Sequence, residues 1–106
     1  MTFAIPVVRG KMTDHIHACE AYALVDVDEA EHCVTSVSYR VAPPLAPSDL
    51  PDWLVKMGAQ TLIAWGMTNR LQRLCEYHGL QVVLGAEPGP PEQLALKYSN
   101  GAAARA

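Results

Sequence analysis

The chain has 106 residues and a formal net charge of −3; half of its residues are hydrophobic and 18% are charged. That length suits one domain over residues 1–106, and the balance builds a core where a disordered chain would show the reverse. The acidic total argues against a general nucleic-acid binder, which needs a basic face, and no apolar run approaches the roughly 18–20 residues that span a bilayer. The start, MTFAIPVVRGK, has no basic stretch ahead of its apolar run, so it does not read as a signal peptide and a cytoplasmic location is expected.

TFAIPVV (2–8) reads as a first strand that RGK breaks. Pro6 is a mild objection, because proline removes a ladder donor and prefers an edge or a bulge. Residues 21–42, AYALVDVDEAEHCVTSVSYRVA, read as two strands around an acidic turn at Asp28 to Glu31. In the second strand Val34, Ser36, Ser38 and Arg40 alternate with Cys33, Thr35, Val37, Tyr39 and Val41, the period-2 signature of a half-buried antiparallel strand. Cys33 is expected to pack, and His32 to be solvated in the turn.

PPLAPSDLP (43–51) is a proline-rich connector. Ser48 or Asp49 can cap a helix that carries Pro51 in its first turn, with Trp53, Leu54 and Met57 as its apolar stripe and Gly58 as its stop. TLIAW (61–65) is a continuous apolar run, the mark of a strand covered on both faces. Thr68 or Asn69 caps the next helix, whose Leu71, Leu74, Cys75 and His78 are spaced i, i+3, i+4, i+7 before Gly79. LQVVLG (80–85) reads as another buried strand. GPPEQLALKYSNG closes the chain as a helix with Pro91, Leu94, Ala95 and Tyr98 on one face, and residues 101–106 are expected to fray.

The order β-β-β-α-β-α-β-α predicts an α/β fold, a mixed five-stranded sheet of RNase H-like strand order with helices on its faces. The crossover over 61–85 makes neighbouring parallel strands. No internal repeat or second domain is visible.

The unusual feature is DHIHAC (14–19): His15, His17 and Cys19 fall at alternate positions in a chain with four histidines and three cysteines. In an extended segment these three side chains share one face. Such a cluster serves either a soft-metal site or a solvated loop. In an open α/β sheet ligands collect outside the carboxyl ends of the parallel strands. Two stretches are expected there, RGKMTDHIHAC and the turn WGMTNR before the second helix, whose start offers N–H groups and a partial positive charge. Arg70 adds a full charge, and Arg9 and Lys11 approach from the other loop. Imidazole and sulfur donors select transition metals and metal–sulfur species over calcium or magnesium. Trp65 ends a strand at the same edge, while Trp53 reads as core.

Other chemistries fit poorly. HxHxC is not a standard zinc spacing, and a structural site needs a fourth ligand. Cys19, Cys33 and Cys75 form no CxxC and no disulfide framework. The first strand lacks the carboxylates that two-metal nuclease chemistry gathers. No GxSxG elbow or phosphate-binding glycine loop is present. Cys19 beside His17 is sequence adjacency, not the geometry that activates a thiol nucleophile.

DHIHACEAYALVDVDE resembles the HFGxAxxFxIYDVD segment of the NifX/NafY-type dinitrogenase iron–molybdenum cofactor-biosynthesis proteins. GAQTLIAWGMTNRLQRLCEYHGLQVVLG resembles their GVDVVIxGGMGxRAxxLLxxxGIxVxxG segment, and EQLALKYSNG their last helix. The likeness runs from residue 3 to 101. It implies an RNase H-like α/β fold and a non-enzymatic carrier in nitrogenase cofactor biosynthesis, which binds the iron–molybdenum cofactor or a related iron–sulfur or molybdenum–sulfur cluster in transit. Nitrogenase assembly proteins would be partners, with no nucleic acid and no membrane. His15 matches the family's histidine associated with cofactor binding and is the expected metal ligand with Cys19, which stands where some carrier-type members have cysteine and others alanine. His17 is a candidate co-ligand, and Arg70 matches the arginine after the second glycine-rich turn. Arg9, Lys11 and Arg70 supply the electrostatic complement. His17 and Ile16 replace the glycine and phenylalanine of HFG, and Trp65 and Thr68 replace two glycines of GGMG, so the pocket is reshaped where glycine would let backbone approach a ligand. The alternative is a protein-interaction or regulatory domain of the same fold that binds no metal.

Overall fold

The structure is a computed structural model, and it describes residues 1–13, 19–44 and 46–99. Ten elements run in order: β1 (Thr2–Val8), β2 (Lys11–Met12), β3 (Ala21–Asp28), β4 (Cys33–Arg40), a 3-10 turn (Pro47–Asp49), α1 (Leu50–Lys56), β5 (Thr61–Ile63), α2 (Asn69–Tyr77), β6 (Gln81–Val83) and α3 (Pro91–Ser99). The sheet follows the order β4-β3-β1-β5-β6, with the two-residue β2 hung on β1. β1 pairs antiparallel with β3 and parallel with β5, and β6 continues parallel to β5. This is the expected mixed sheet of five main strands.

Its two faces explain the apolar runs. Phe3, Ile5, Val7, Ala23, Val25, Val27 and Ile63 form one buried cluster with Leu94 and Ala95 of α3. Ala4, Tyr22, Leu24 and Leu62 form the other with Leu50 and Leu54 of α1 and Leu71 and Cys75 of α2. Alternate side chains of β1 and β3 therefore enter opposite cores. The sheet is a middle layer with α1 and α2 on one side and α3 on the other.

Pro6 is tolerated in the central strand because of where its neighbours stop. β5 pairs only with Phe3 and Ala4, and β2 takes over at Val7 and Val8. Pro6 falls between them, so no ladder bond on that side needs its missing N–H.

The alternation read in β4 is broken by a bulge. Val27 pairs with Val34 but Asp26 pairs with Ser36, which leaves Thr35 as an extra residue. Its hydroxyl donates to the Asp26 carbonyl at 3.1 Å. The extra residue shifts the phase, so Val34 and Val37 both pack on the α3 side. Cys33 is exposed, not packed. LQVVLG also differs from its reading: β6 is the outer strand of the sheet, and its residues are exposed or half-buried.

The helix ends follow the sequence closely. Thr68 is extended (φ −67°, ψ 154°) and its Oγ accepts the Leu71 N–H at 3.2 Å, capping α2. His78 closes the helix, and Gly79 turns the chain at φ 81°. Asp49 stands before α1 but makes no capping bond, because it has helical backbone angles carried over from the 3-10 turn.

Candidate functional site

β1, β5 and β6 end at one edge of the sheet, and the described parts of the two stretches singled out in the sequence arrive there. After β1 the chain reverses over Arg9 (φ 55°) and Gly10 (φ 79°), both left-handed, and pairs back as β2 with Val8 opposite Lys11. The Met12 N–H donates to the Gly89 carbonyl at 2.8 Å, which ties this hairpin to the loop after β6. Thr13 and Glu20 donate their N–H groups to the carbonyls of Pro6 and Val7, each at 2.9 Å. The chain therefore leaves and re-enters this edge beside two consecutive residues of β1. The Arg9 N–H adds a bond to the Glu20 carboxylate at 2.8 Å.

Cys19 lies at the re-entry, half-buried against the α1/α2 core. Burial pushes its pKa up, opposed by the Tyr22 phenol hydrogen-bonded to it and by backbone N–H groups of Cys19 and Val7. Tyr22 is 2% exposed; burial raises its pKa far above the usual phenol range, with the neighbouring Cys19 adding to the effect. Its ring meets Trp53 edge-on, centroids 5.8 Å apart. Cys19 and Tyr22 help to line a cleft of about 290 Å³ whose far wall is the connector, Val41 to Pro44 and Ala46.

The other half of the edge is the turn after β5. Trp65 is 51% exposed, Met67 packs against the core that also receives Cys19, and Arg70 is exposed in the first turn of α2. Thr68 already holds one N–H at the start of that helix, so the donors there are fewer than the sequence suggested.

The sequence-derived site residues thus divide. Arg9, Cys19 and Arg70 are at the carboxyl edge as expected. The backbone of Lys11 is there too, but its side chain lies outside the described residues, as do His15, His17 and the tail 101–106. Two residues were missed. Tyr22 was read only as strand, and Arg40, exposed at the end of β4, stands directly across from Tyr22 on the same face. The bulge at Thr35 sets that register, and no periodicity in the sequence gives it.

Among the described residues, no guanidinium of Arg9, Arg40 or Arg70 is held in an ion pair. A half-buried thiol at an edge that also carries exposed arginines is a soft donor, better suited to a thiophilic species than to a hard cation. Among the described residues no three His, Cys, Asp or Glu side chains are grouped to hold a metal ion. A larger cleft, about 760 Å³, opens at the opposite end of the sheet between β6 and the end of α3, with Glu29 and Glu76 on its walls. Its carboxylates disfavour an anion and it has no thiol; the smaller cleft, which Cys19 helps to line, is the better candidate for a soft ligand despite its size.

The fold recurs in solved structures. The protein PH0822 superposes with a TM-score of 0.82 at 22% identity, covering 95% of this chain and 90% of that one. A protein described as a candidate dinitrogenase, from Methanocaldococcus jannaschii, gives 0.73 at 14% identity over 95% and 89%. A candidate NifB protein from Thermotoga gives 0.68 at 21% identity over 94% and 88%. These likenesses establish shared architecture. No curated protein matches the sequence. Residues 1–101, nearly the whole chain, match the family described as dinitrogenase iron-molybdenum cofactor, and the chain belongs to that family.

Proposed function

We propose that this protein is a carrier: it holds an anionic metal–sulfur cofactor of the iron–molybdenum type, or a precursor of it, and passes it on without catalysing a reaction. The observation that supports the reading is the anchored return of the chain at Cys19, which brings a half-buried thiol to the carboxyl edge of the sheet, the edge at which Arg9, Arg40 and Arg70 also stand. Family membership supports the cargo. In this reading His15 and Cys19 are the metal ligands, His17 is a co-ligand, and Lys11 adds to the cationic rim. The cargo is delivered to nitrogenase assembly proteins in the cytoplasm. Among the described residues no helix is long and apolar enough to cross a membrane.

The test is anaerobic titration with tetrathiomolybdate, an inorganic metal–sulfur anion, followed by visible absorption and elemental analysis of the desalted protein. Stoichiometric molybdenum is expected, with affinity falling as salt rises because the rim charges are exposed. His15→Ala is expected to lose the molybdenum with its melting curve intact. A wild-type protein that emerges free of molybdenum would replace the carrier reading with the metal-free interaction domain.

A further inference from the structure

The two outer strands of the sheet end it differently. β6 has three residues, too few to offer an incoming strand much to pair with. β4 has eight, and its one neighbour is β3. Alternate residues of an edge strand turn their N–H and C=O groups away from the sheet. Among the described residues the β4 backbone bonds to nothing outside the β3 ladder. Edges are usually blunted by shortness, proline, lysine or a bulge. Residues 33–39, CVTSVSY, carry no charge and no proline and are rich in strand formers. The bulge lies at Thr35, so residues 36–40 run as a regular strand.

This edge is also self-complementary. Its one charge, Arg40, stands at the end of β4. The carboxylates stand at the start: Asp26 beside Ser36, and Asp28, Glu29 and Glu31 exposed around the turn. A second copy running antiparallel brings each arginine to the acidic end of the other strand, whereas a parallel copy sets arginine against arginine.

We propose that β4 is the docking edge for a second copy of this chain, the two strands pairing antiparallel across a two-fold axis at Ser38 and joining two sheets into one. An axis perpendicular to the sheet keeps each side chain on its own face, and centring it on Ser38 keeps the ladder within the regular stretch. Val37, half-buried on the α3 side, then opposes Tyr39 of the second copy, and Tyr39, 51% exposed, opposes Val37. These two aromatic–β-branched pairs cover both rings. On the other face Ser36 opposes Arg40 of the second copy, whose guanidinium is directed over Ser36 toward Asp26. Such a contact is isologous and closes at two copies. A five-residue ladder is small beside the roughly 1,200–2,000 Å² of stable interfaces, so the dimer forms and dissociates with concentration. The inference goes beyond the carrier reading and stands without it. Arg40 is the residue common to both, so the experiment leaves it unaltered.

Sedimentation equilibrium of the full chain over a range of concentrations is expected to show monomer and dimer. Tyr39→Lys puts a charge into both halves of the ladder and is expected to weaken the dimer about 10-fold or more. Register is read by disulfide trapping with diamide in a Cys33→Ser background. Ser38→Cys places two sulfurs on the axis, with Cα atoms about 4.5–5.5 Å apart, which a disulfide spans. Ser36→Cys places them about 14 Å apart along the strands. A covalent dimer is expected in the first and not in the second. Should Tyr39→Lys fail to fold, wild-type sedimentation and the trapping decide. A wild-type chain that stays monomeric throughout, or a dimer indifferent to Tyr39→Lys, overturns the docking edge and leaves the carrier reading intact. Trapping through Ser36→Cys instead of Ser38→Cys overturns the axis at Ser38.

Discussion

The backbone N–H of Arg9 donates to the side chain of Glu20 across eleven residues, at 2.8 Å. This bond joins the turn after β1 to the residue that follows Cys19, so it ties the two ends of the loop to each other as well as to the sheet. Glu20→Ala is expected to lower stability by about 1 kcal/mol, since the bond is solvent-exposed and a charged acceptor there is partly screened. Glu20→Gln keeps an acceptor and is expected to lose less. Urea unfolding gives the stability, and amide exchange at Arg9 should quicken in Glu20→Ala while exchange at Val25 in the core does not.

Arg9 also sits in a conformation that disfavours it. A two-residue connection with positive φ at both positions favours Asn-Gly over Arg-Gly, and here Arg9 has φ 55° and Gly10 φ 79°. Arg9→Asn is expected to raise stability by roughly 0.5–1 kcal/mol while weakening the binding of tetrathiomolybdate. Thermal melts and titration of the same preparation check both signs. A stability gain paired with a binding loss is what a site residue held in strain produces; a variant that gains stability and binds as before would remove Arg9 from the site.

Much of this architecture was legible because the signals are local. TFAIPVV and AYALVDV are apolar at successive positions because each strand feeds two cores, and the stripe over Leu71 and Cys75 has one face to bury. What stayed hidden depends on partners distant in sequence. The bulge at Thr35 exists only in the pairing of β4 with β3, so the alternation placed Arg40 with Val34 and gave no hint that it faces Tyr22. β6 reads like β5 by composition, yet only its place at the end of the strand order makes it an edge. The candidate site was half legible. Cys19 stood out as a scarce residue near two histidines, whereas its phenol partner looked like any aromatic in a strand.

The Thr68 hydroxyl has a structural task at the start of α2, accepting the Leu71 N–H at 3.2 Å. Thr68→Ala removes the cap and is expected to cost about 1 kcal/mol, or about 4–8 °C in melting temperature for a domain of this size. Thr68→Ser restores the oxygen and is expected to recover most of it, and Thr68→Gly to lose only a few tenths of a kcal/mol relative to threonine. Differential scanning calorimetry ranks the three. Equal losses in all three would mean that the methyl group, not the hydroxyl, carries the effect.

Cys75 is 0% exposed in the core under α2, and burial, with Glu76 next, pushes its thiol up to about 11 from 9.0. The folded state therefore favours the neutral thiol. Unfolding releases it to ionise near its ordinary value, so the unfolded chain binds fewer protons than the native one in this range. The contribution is whole below about pH 9 and is lost as pH rises through about 11, the window set by those two values. Burial acts on Cys19 and Tyr22 in the same direction, so wild type alone does not isolate the effect. Cys75→Ala is expected to be less stable at neutral pH, because it leaves a void in the core, yet to lose less additional stability than wild type between pH 9 and 11. Urea unfolding at a series of alkaline pH values, under reducing conditions, gives the two slopes. Parallel curves would mean that the Cys75 proton contributes nothing to the alkaline loss.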